Sequence, residues 1–191
     1  MNREKTKNLT YCGLFTALIA IGAFIKIPIP VVPFTLQFLF TTLAGLLLGS
    51  KCGLICTATY VILGLIGLPI FSEGGGVWYV LKPSFGYLLG FCIGSYVTGL
   101  IAEKMKKKNV FCYLIAGFSG LLIVYLAGMA YYYVICNYVI DTPIAFGPLF
   151  LYCFVLAVPG DIFLCILSAF VAKRVKPLLY RQQIQTKEKE V

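Results

Sequence analysis

The chain has 191 residues, of which 60% are apolar types and 12% carry charge, and its mean hydropathy is +0.93. Soluble domains average about 25% charged residues. This composition therefore excludes a cytosolic globular enzyme, a disordered tail and a nucleic-acid-binding protein. The long apolar runs instead predict an all-α membrane protein with several spans.

Six apolar segments approach or exceed the roughly 20 residues that a membrane span requires. They are predicted at residues 9–27, 34–49, 54–70, 84–102, 110–135 and 146–172. Three prolines end the first segment, at positions 28, 30 and 33. This pattern divides the chain into an N-terminal tail (residues 1–8), a six-helix domain (9–178) and a C-terminal tail (179–191). No cleavable secretory signal is expected, because residues 13–27 continue without a small-residue cleavage site.

The basic residues predict the orientation of the six spans. If the N-terminus is cytoplasmic, 14 of the 16 Lys and Arg residues fall in inner segments, and only Lys26 and Lys82 lie outside. Such a bias fits an even number of spans with both termini in the cytoplasm. The net charge of +9 is therefore interpreted as a topology signal and not as a nucleic-acid-binding surface.

Metal, cofactor and nucleotide sites are not expected. The eight cysteines occur singly within apolar runs and the sequence contains no histidine, so zinc and haem attachment lack ligands. Residues 45–51 read G-L-L-L-G-S-K, which differs in spacing and order from a phosphate-binding loop. Uptake driven by this chain would need an ion gradient or another subunit.

Two spans carry stripes of small residues, which allow helix backbones to approach closely. The stripe of the fourth span consists of Gly86, Gly90, Gly94 and Thr98. The stripe of the first span consists of Gly13, Thr16, Ala17 and Ala20. Packing inside the bundle and docking of another membrane protein are both consistent with these patterns.

Asp161 is the most informative acidic residue, because it follows Pro159 and Gly160 within an apolar stretch. A carboxylate near the bilayer centre costs about 2.5–3.5 kcal/mol on insertion scales and normally faces a cavity or a partner. Irregular backbone at that depth is tolerated where it lines a protein interior. We expect Asp161 to contact a ligand or a coupling ion; the alternative is an ion pair with a lysine of the bundle.

Two further clusters are candidates for ligand contacts. Within residues 67–79, glycines and aromatic residues lie side by side, at Gly74, Gly75, Gly76, Trp78 and Tyr79. The glycines would let backbone amides approach a ligand or let the loop hinge. Trp78 and Tyr79 would either close over an apolar ligand or anchor the membrane interface. Residues 27–37 end in Gln37, a buried amide that needs hydrogen-bond partners.

Together these clusters resemble the BioY family, the biotin-specific substrate-binding (S) components of energy-coupling factor (ECF) transporters. The matching motifs follow the family's order over residues 10–178. They are Pro28-x-Pro30-x-x-Pro33-Phe-Thr-Leu-Gln37, Gly64-Leu-Ile-Gly-Leu-Pro-Ile-Phe71 with the glycine run, Pro83-Ser-x-Gly86-Tyr-Leu-Leu-Gly-Phe91, Tyr125-x-x-Gly128 and Pro159-Gly-Asp161. Each motif is weak alone, but the combination is specific.

The resemblance implies a six-helix S component of the plasma membrane that captures biotin at its outer face. Its implied partners are a transmembrane coupling subunit and two ATP-binding-cassette ATPases, which reorient the S component within the bilayer. The implied docking face is the small-residue stripe of the first span, Gly13, Thr16, Ala17 and Ala20, although Thr16 stands where alanine is usual.

Biotin chemistry assigns expected roles to individual residues. Asp161 would accept hydrogen bonds from the ureido N–H groups, as a charge-assisted acceptor. Gln37 or amides near Gly75 would donate to the ureido carbonyl. Apolar contacts with the ring and chain are expected from Phe71, Trp78 and Tyr87.

The chain departs from the family pattern at the carboxylate end of the ligand. Leu164 replaces the lysine that the family usually has three residues after the aspartate. We expect Lys82 or Lys26 to bind the carboxylate instead. Phe85 stands where glycine is usual, so it would narrow the pocket or stack on the ligand.

Three alternatives remain open from the sequence. The first is a related ligand of the same transporter class, such as a biotin precursor or another small ring-bearing carboxylate. The second is a solitary proton-coupled vitamin transporter, with Asp161 as the protonatable group. The third class, a membrane enzyme, is disfavoured, because it would need paired acids, histidines or a serine–lysine dyad at depth.

Overall fold

The computed structural model describes residues 3–27, 34–106 and 109–188, with side chains described for residues 6–27, 34–106 and 109–179. The predicted proline cluster at positions 28, 30 and 33, together with Lys107 and Lys108, lies outside the described residues.

The described chain forms six helical segments, and each overlaps one predicted span. Five are single helices: α1 (Arg3–Phe24), α2 (Gln37–Leu48), α3 (Ser50–Leu65), α4 (Phe85–Lys104) and α5 (Val110–Tyr138). The sixth consists of α6 (Phe146–Phe150), a π-helical turn (Leu151–Val155) and α7 (Val158–Glu188). Two short antiparallel strands, β1 (Lys26–Ile27) and β2 (Phe34–Thr35), connect α1 to α2. A 3-10 helix (Val77–Leu81) precedes α4.

The all-α architecture is confirmed, and four segments have the length and composition of membrane-crossing helices. These are Thr6–Phe24, Phe85–Lys104, Val110–Tyr138 and Phe146–Leu179. Helices α2 and α3 are also apolar but contain 12 and 16 residues. At about 1.5 Å per residue they rise roughly 18 and 24 Å, less than the hydrocarbon core of about 30 Å.

Helix α2 lies at the centre of the bundle and contacts α1, α3, α4, α5 and α7. The sides of α2 are therefore covered by other helices. This position accommodates a largely apolar helix that is too short to cross the hydrocarbon core alone. Gln37, the first residue of α2, is consequently buried inside the bundle.

The glycine stripe of the fourth span packs against α5. A Cβ atom on Gly90 would lie 2.9 Å from the Cα atom of Val124, and one on Gly94 would lie 3.0 Å from the carbonyl oxygen of Gly120. These neighbours are backbone atoms that cannot turn away. The stripe therefore serves close packing of the antiparallel helices α4 and α5.

The junction of α2 and α3 is held by side chains from two other helices. At the start of α3, the Glu103 carboxylate of α4 accepts hydrogen bonds from the Ser50 backbone N–H at 2.7 Å and from the Ser50 hydroxyl at 2.8 Å. At the end of α2, the Lys176 ammonium of α7 donates to the carbonyl of Leu46 at 2.6 Å. Each charge complements the helix dipole that it faces.

We predict that Gly90→Ala lowers the free energy of unfolding by about 1–3 kcal/mol, the usual cost of overpacking, because the added methyl group forces α4 away from α5. Thermal unfolding of the detergent-solubilised protein measures this effect. Gly13→Ala is the matched control, since a Cβ atom there meets no atom within 4 Å. Equal stability of the two variants would contradict the assigned contact.

Candidate ligand-binding site

A cavity of about 60 Å³ lies where the N-terminal ends of α2, α4 and α7 meet the middle of α5. Its walls are mostly aromatic and apolar, with a few hydroxyl groups, one amide and one carboxylate. They are formed by Phe34, Thr35, Gln37, Phe38, Ser72, Tyr79, Ser84, Tyr87, Leu88, Phe91, Val124, Tyr125, Cys153, Ala157 and Asp161. This volume and polarity suit several water molecules or part of a small solute.

Asp161 supplies the charged group of the cavity. Its Oδ2 atom accepts a hydrogen bond from the Tyr125 hydroxyl at 2.5 Å. Among the side chains that the structure describes, Asp161 has no lysine or arginine within ion-pair distance. The predicted cavity beside this carboxylate is therefore present, and the alternative of a lysine partner finds no support in the described part of the chain.

The sequence before Asp161 explains how the carboxylate reaches this place. Pro159 lies in the first turn of α7. Backbone N–H groups in a first turn have no partner within the helix, so the missing N–H of proline costs no hydrogen bond. Gly160 contacts the ring of Phe34, so a Cβ atom would lie 2.6 Å from that ring. Asp161 follows in the same first turn, at the helix end that favours negative charge.

Gln37 is held by a short chain of hydrogen bonds. Its Nε2 atom donates to the Tyr60 hydroxyl at 2.7 Å, and that hydroxyl donates to the carbonyl of Ile70 at 3.0 Å. Its Oε1 atom accepts from the Thr35 hydroxyl at 3.2 Å. The Tyr60 bond uses one of the two amide N–H groups, so the other can serve a ligand in the cavity.

Tyr87 lies in the aromatic wall of the cavity. Its ring packs edge-on against Tyr125, with ring centroids 6.2 Å apart, and its hydroxyl donates to the Cys153 carbonyl at 3.4 Å. Gly128 makes room for this ring, because a Cβ atom there would lie 2.5 Å from Tyr87. Gln37, Tyr87 and Asp161 are thus the predicted ligand contacts that the fold brings together around one cavity.

The other predicted aromatic residues lie outside the cavity lining. Phe71 is 1% exposed and packs between the rings of Tyr60 and Tyr79, at centroid distances of 5.4 and 4.5 Å. Phe85 is buried against Tyr131, with centroids 5.9 Å apart. Trp78 is 79% exposed and points away from the bundle.

The three glycines also lie outside the lining and shape the loop that follows α3. Gly74 and Gly76 have φ angles of 113° and 103°, which favour glycine. The N–H of Gly76 donates to the carbonyl of Gly64 at 2.7 Å, so the loop returns onto the end of α3. This fold carries Ser72 and Tyr79 to the cavity.

The two predicted lysines do not belong to the cavity lining, and both make contacts with residues of this loop. Lys26 donates to the carbonyl of Ser72 at 2.9 Å. Lys82 forms an ion pair with Glu73 at 2.9 Å and lies 5.0 Å from the centre of the Tyr79 ring. Leu164, at the position where the resemblance expects lysine, is 3% exposed and belongs to the core.

Sequence reasoning did not select several residues of the lining as ligand contacts, namely Thr35, Ser72, Ser84, Phe91, Tyr125 and Cys153, whereas Tyr79 was one of the two aromatic residues expected to cover an apolar ligand or anchor the interface. Tyr125 is the most consequential of them. A hydroxyl group within an apolar span requires a partner, and this signal would have linked Tyr125 to the carboxylate of Asp161.

The predicted docking residues share one apolar groove between α1 and α3. Its volume is about 470 Å³, and Gly13, Thr16, Ala17 and Ala20 contribute to its walls. Gly13 and Ala17 are exposed. Thr16 is buried, with its hydroxyl 2.8 and 3.1 Å from the carbonyl oxygens of Cys12 and Cys56.

The fold and the cavity define an integral membrane protein with a buried site for a small solute. Comparison with known proteins identifies the particular family: the BioY family model matches residues 1–181, and the chain belongs to this family.

Individual relatives agree with this assignment. The chain is 40% identical to the probable biotin transporter BioY of Lysinibacillus sphaericus, over 92% of this chain and 89% of the relative. It is 42% identical to the biotin transporter BioY of Thermotoga maritima, over 90% and 97% of the two chains.

A solved structure is also similar, the crystal structure of the S-component for biotin from an ECF-type ABC transporter. It matches with a TM-score of 0.79 and 31% identity, covering 93% of this chain and 94% of the other. These relatives are transporters, and the chain is accordingly a multi-pass protein of the plasma membrane.

We predict that Tyr125→Phe lowers the free energy of unfolding by about 1–2 kcal/mol, because it leaves the buried Asp161 carboxylate without its donor. Thermal unfolding of the ligand-free protein tests this, with Tyr96→Phe on the exposed side of α4 as control. In a double-mutant cycle with Asp161→Asn, the loss of unfolding free energy in the double variant should differ from the sum of the two single losses. A loss equal to that sum would argue against a functional hydrogen bond between the two side chains.

Proposed function

We propose that this protein is the biotin-binding S component of an ECF-type importer. It captures biotin outside the cell and delivers it inward together with a transmembrane coupling subunit and two ATP-binding-cassette ATPases. The observation that carries this proposal is the lone carboxylate of Asp161, bonded to Tyr125 in a cavity with no other charged side chain in its lining. Membership of the BioY family and the names of its relatives support biotin as the ligand.

The proposed topology has six spans in residues 9–178, with the tails at 1–8 and 179–191 both cytoplasmic. In this orientation 14 of the 16 basic residues are inside. The other two, Lys26 and Lys82, meet at the loop beside the cavity, so the cavity faces outward. Helices α2 and α3 count as spans because protein surrounds α2 and the loop after α3 extends its reach.

The proposed pose places the ureido group of biotin at the bottom of the cavity. Asp161 accepts a ureido N–H, and the unused N–H of Gln37 donates to the ureido carbonyl. The ring system contacts Tyr87 and its aromatic neighbours. The valeryl chain points to the rim, where Lys82 and Lys26 provide positive charge in place of the missing lysine at position 164.

The remaining predicted residues take indirect roles in this proposal. Phe71 supports the wall through Tyr79. Phe85 packs against Tyr131, whose hydroxyl donates to the carbonyl of Val80 in the loop before α4. Gly74, Gly75 and Gly76 give the loop its return path and its freedom to open, and Trp78 serves as an interface anchor beside the entrance.

Replacing Asp161 with asparagine is expected to weaken biotin binding by about 1–2 kcal/mol, since a neutral acceptor holds an N–H about half as strongly as a charged one. Isothermal titration of the purified full-length protein with biotin gives the Kd. Asp141→Asn, which removes an exposed charge, is the control and should bind like wild type. Unchanged affinity of Asp161→Asn would place the ligand elsewhere.

A related ligand is a second candidate, and the leucine at position 164 is the observation that favours it. A biotin precursor that keeps the ureido ring and the carboxylate would use the same contacts. Competition of dethiobiotin against labelled biotin ranks the two ligands, and tighter binding of dethiobiotin would assign the protein to the precursor.

The α1–α3 groove is the proposed docking face for the coupling subunit. Ala17→Leu would fill part of the groove without disturbing the core, because Ala17 is exposed. We expect co-purification with the coupling subunit to fall about tenfold or more, given the cost of overpacking a helix interface, while the Kd for biotin stays unchanged. Leu14→Phe, exposed on α1 outside the groove, is the control; equal complex yields for both variants would remove the groove from the interface.

A further inference from the structure

The loop between α3 and α4 forms the roof of the cavity and carries an ion pair on its outer side. Ser72, Tyr79 and Ser84 of this roof loop, residues 66–84, line the cavity. Glu73 directly follows Ser72, Lys82 is two residues before Ser84, and the side chains of Glu73 and Lys82 are 43% and 41% exposed.

Lys82 is engaged by the roof loop in three ways. Its Nζ atom lies 2.9 Å from the Glu73 carboxylate, 3.3 Å from the Glu73 backbone carbonyl and 5.0 Å from the centre of the Tyr79 ring. Since Tyr79 lines the cavity, Lys82 stands directly behind a wall residue. A positive charge that contacts the cavity wall is therefore already paired with a carboxylate of the protein.

The Glu73 side chain has the same charged group as the free end of biotin. Exposed ion pairs contribute little to stability, because water and salt screen them. One carboxylate can consequently replace another on Lys82 at small cost. A ligand whose ureido ring lies against Asp161 and whose chain passes Tyr79 would present its carboxylate to this same ammonium group.

We propose that Glu73 is a built-in competitor for the ligand carboxylate. In the empty protein it occupies Lys82, and biotin displaces it on binding; when the ligand leaves, Glu73 takes its place again. Glu73 thus lowers the affinity for anionic ligands and leaves neutral analogues unaffected, which makes it a specificity-determining residue. This inference rests on the proposed function and adds the group against which the ligand competes.

The test compares biotin with biotinamide, in which a neutral carboxamide replaces the carboxylate. Isothermal titration of the full-length protein in nanodiscs gives both Kd values for wild type, Glu73→Gln, Lys82→Met and the double variant. Glu73→Gln is expected to bind biotin about two- to fivefold more tightly, the range of an exposed pair, with biotinamide unchanged. Lys82→Met should weaken biotin binding and spare biotinamide, and in the double variant the gain from Glu73→Gln should disappear.

Asp141→Asn is the matched control for charge alone. Asp141 is exposed and follows α5, which runs antiparallel to α4, so it lies at the same end of the bundle as Glu73. Asparagine also tolerates the positive φ of 49° at this position. The control should leave the ratio of the biotin and biotinamide affinities at the wild-type value.

The outcomes separate this inference from the proposed function. If wild type binds neither biotin nor biotinamide, both proposals fall. The competitor role is overturned, and the proposed function stands, if biotin binds but Glu73→Gln leaves the ratio of the biotin and biotinamide affinities unchanged. This includes the case in which both affinities shift equally. The same conclusion follows if Glu73→Gln acts no differently from Asp141→Asn. A gain from Glu73→Gln that persists in the Lys82→Met background would also overturn it.

Discussion

The site depends on one hydrogen bond, from the Tyr125 hydroxyl to the Asp161 carboxylate. A carboxylate inside an apolar bundle is costly unless a donor or a cavity accommodates it, and here both do. Pro159 and Gly160 let α7 begin at this depth, and Gly160 gives Phe34 room to close the cavity wall. The Asp161 carboxylate, the start of α7 and the cavity are thus parts of one local arrangement. In it the hydrogen bond between Asp161 and Tyr125 orients α7 toward α5.

The cavity combines fixed walls with a roof of different character. Gln37, Tyr125 and Asp161 project from helices and are oriented by hydrogen bonds with other elements. The roof loop has no long helix, and its path includes three glycines with positive φ angles, Gly67, Gly74 and Gly76. Its contact with Lys26 and its internal ion pair between Glu73 and Lys82 are exposed and therefore weak. A rigid recognition surface beneath a loop with weak surface contacts is suited to a protein that must first enclose a solute and later release it.

The helices and the buried polar residues were predictable from the sequence, because an apolar environment limits where they can go. Because polar side chains are costly in lipid, Asp161 and Gln37 were expected to face the interior of the bundle. Both line the same cavity. The roof loop was not predictable in the same way, because the order of residues 67–79 does not tell which aromatic ring faces the cavity. In the structure Phe71 is buried, Trp78 is exposed and Tyr79 lines the cavity. Lys82 as an outer charge that binds the ligand carboxylate stays a prediction, and its pairing with Glu73 depends on the path of the loop.

The junction of α2 and α3 has a consequence for how the chain assembles in the bilayer. Its two helix ends are capped by Glu103 of α4 and Lys176 of α7, both supplied by segments that are synthesised later. Until those segments arrive, a short helical hairpin carries uncompensated terminal dipoles next to lipid. The centre of the molecule is therefore expected to reach its final position late in biogenesis, after the helices at its periphery have been inserted.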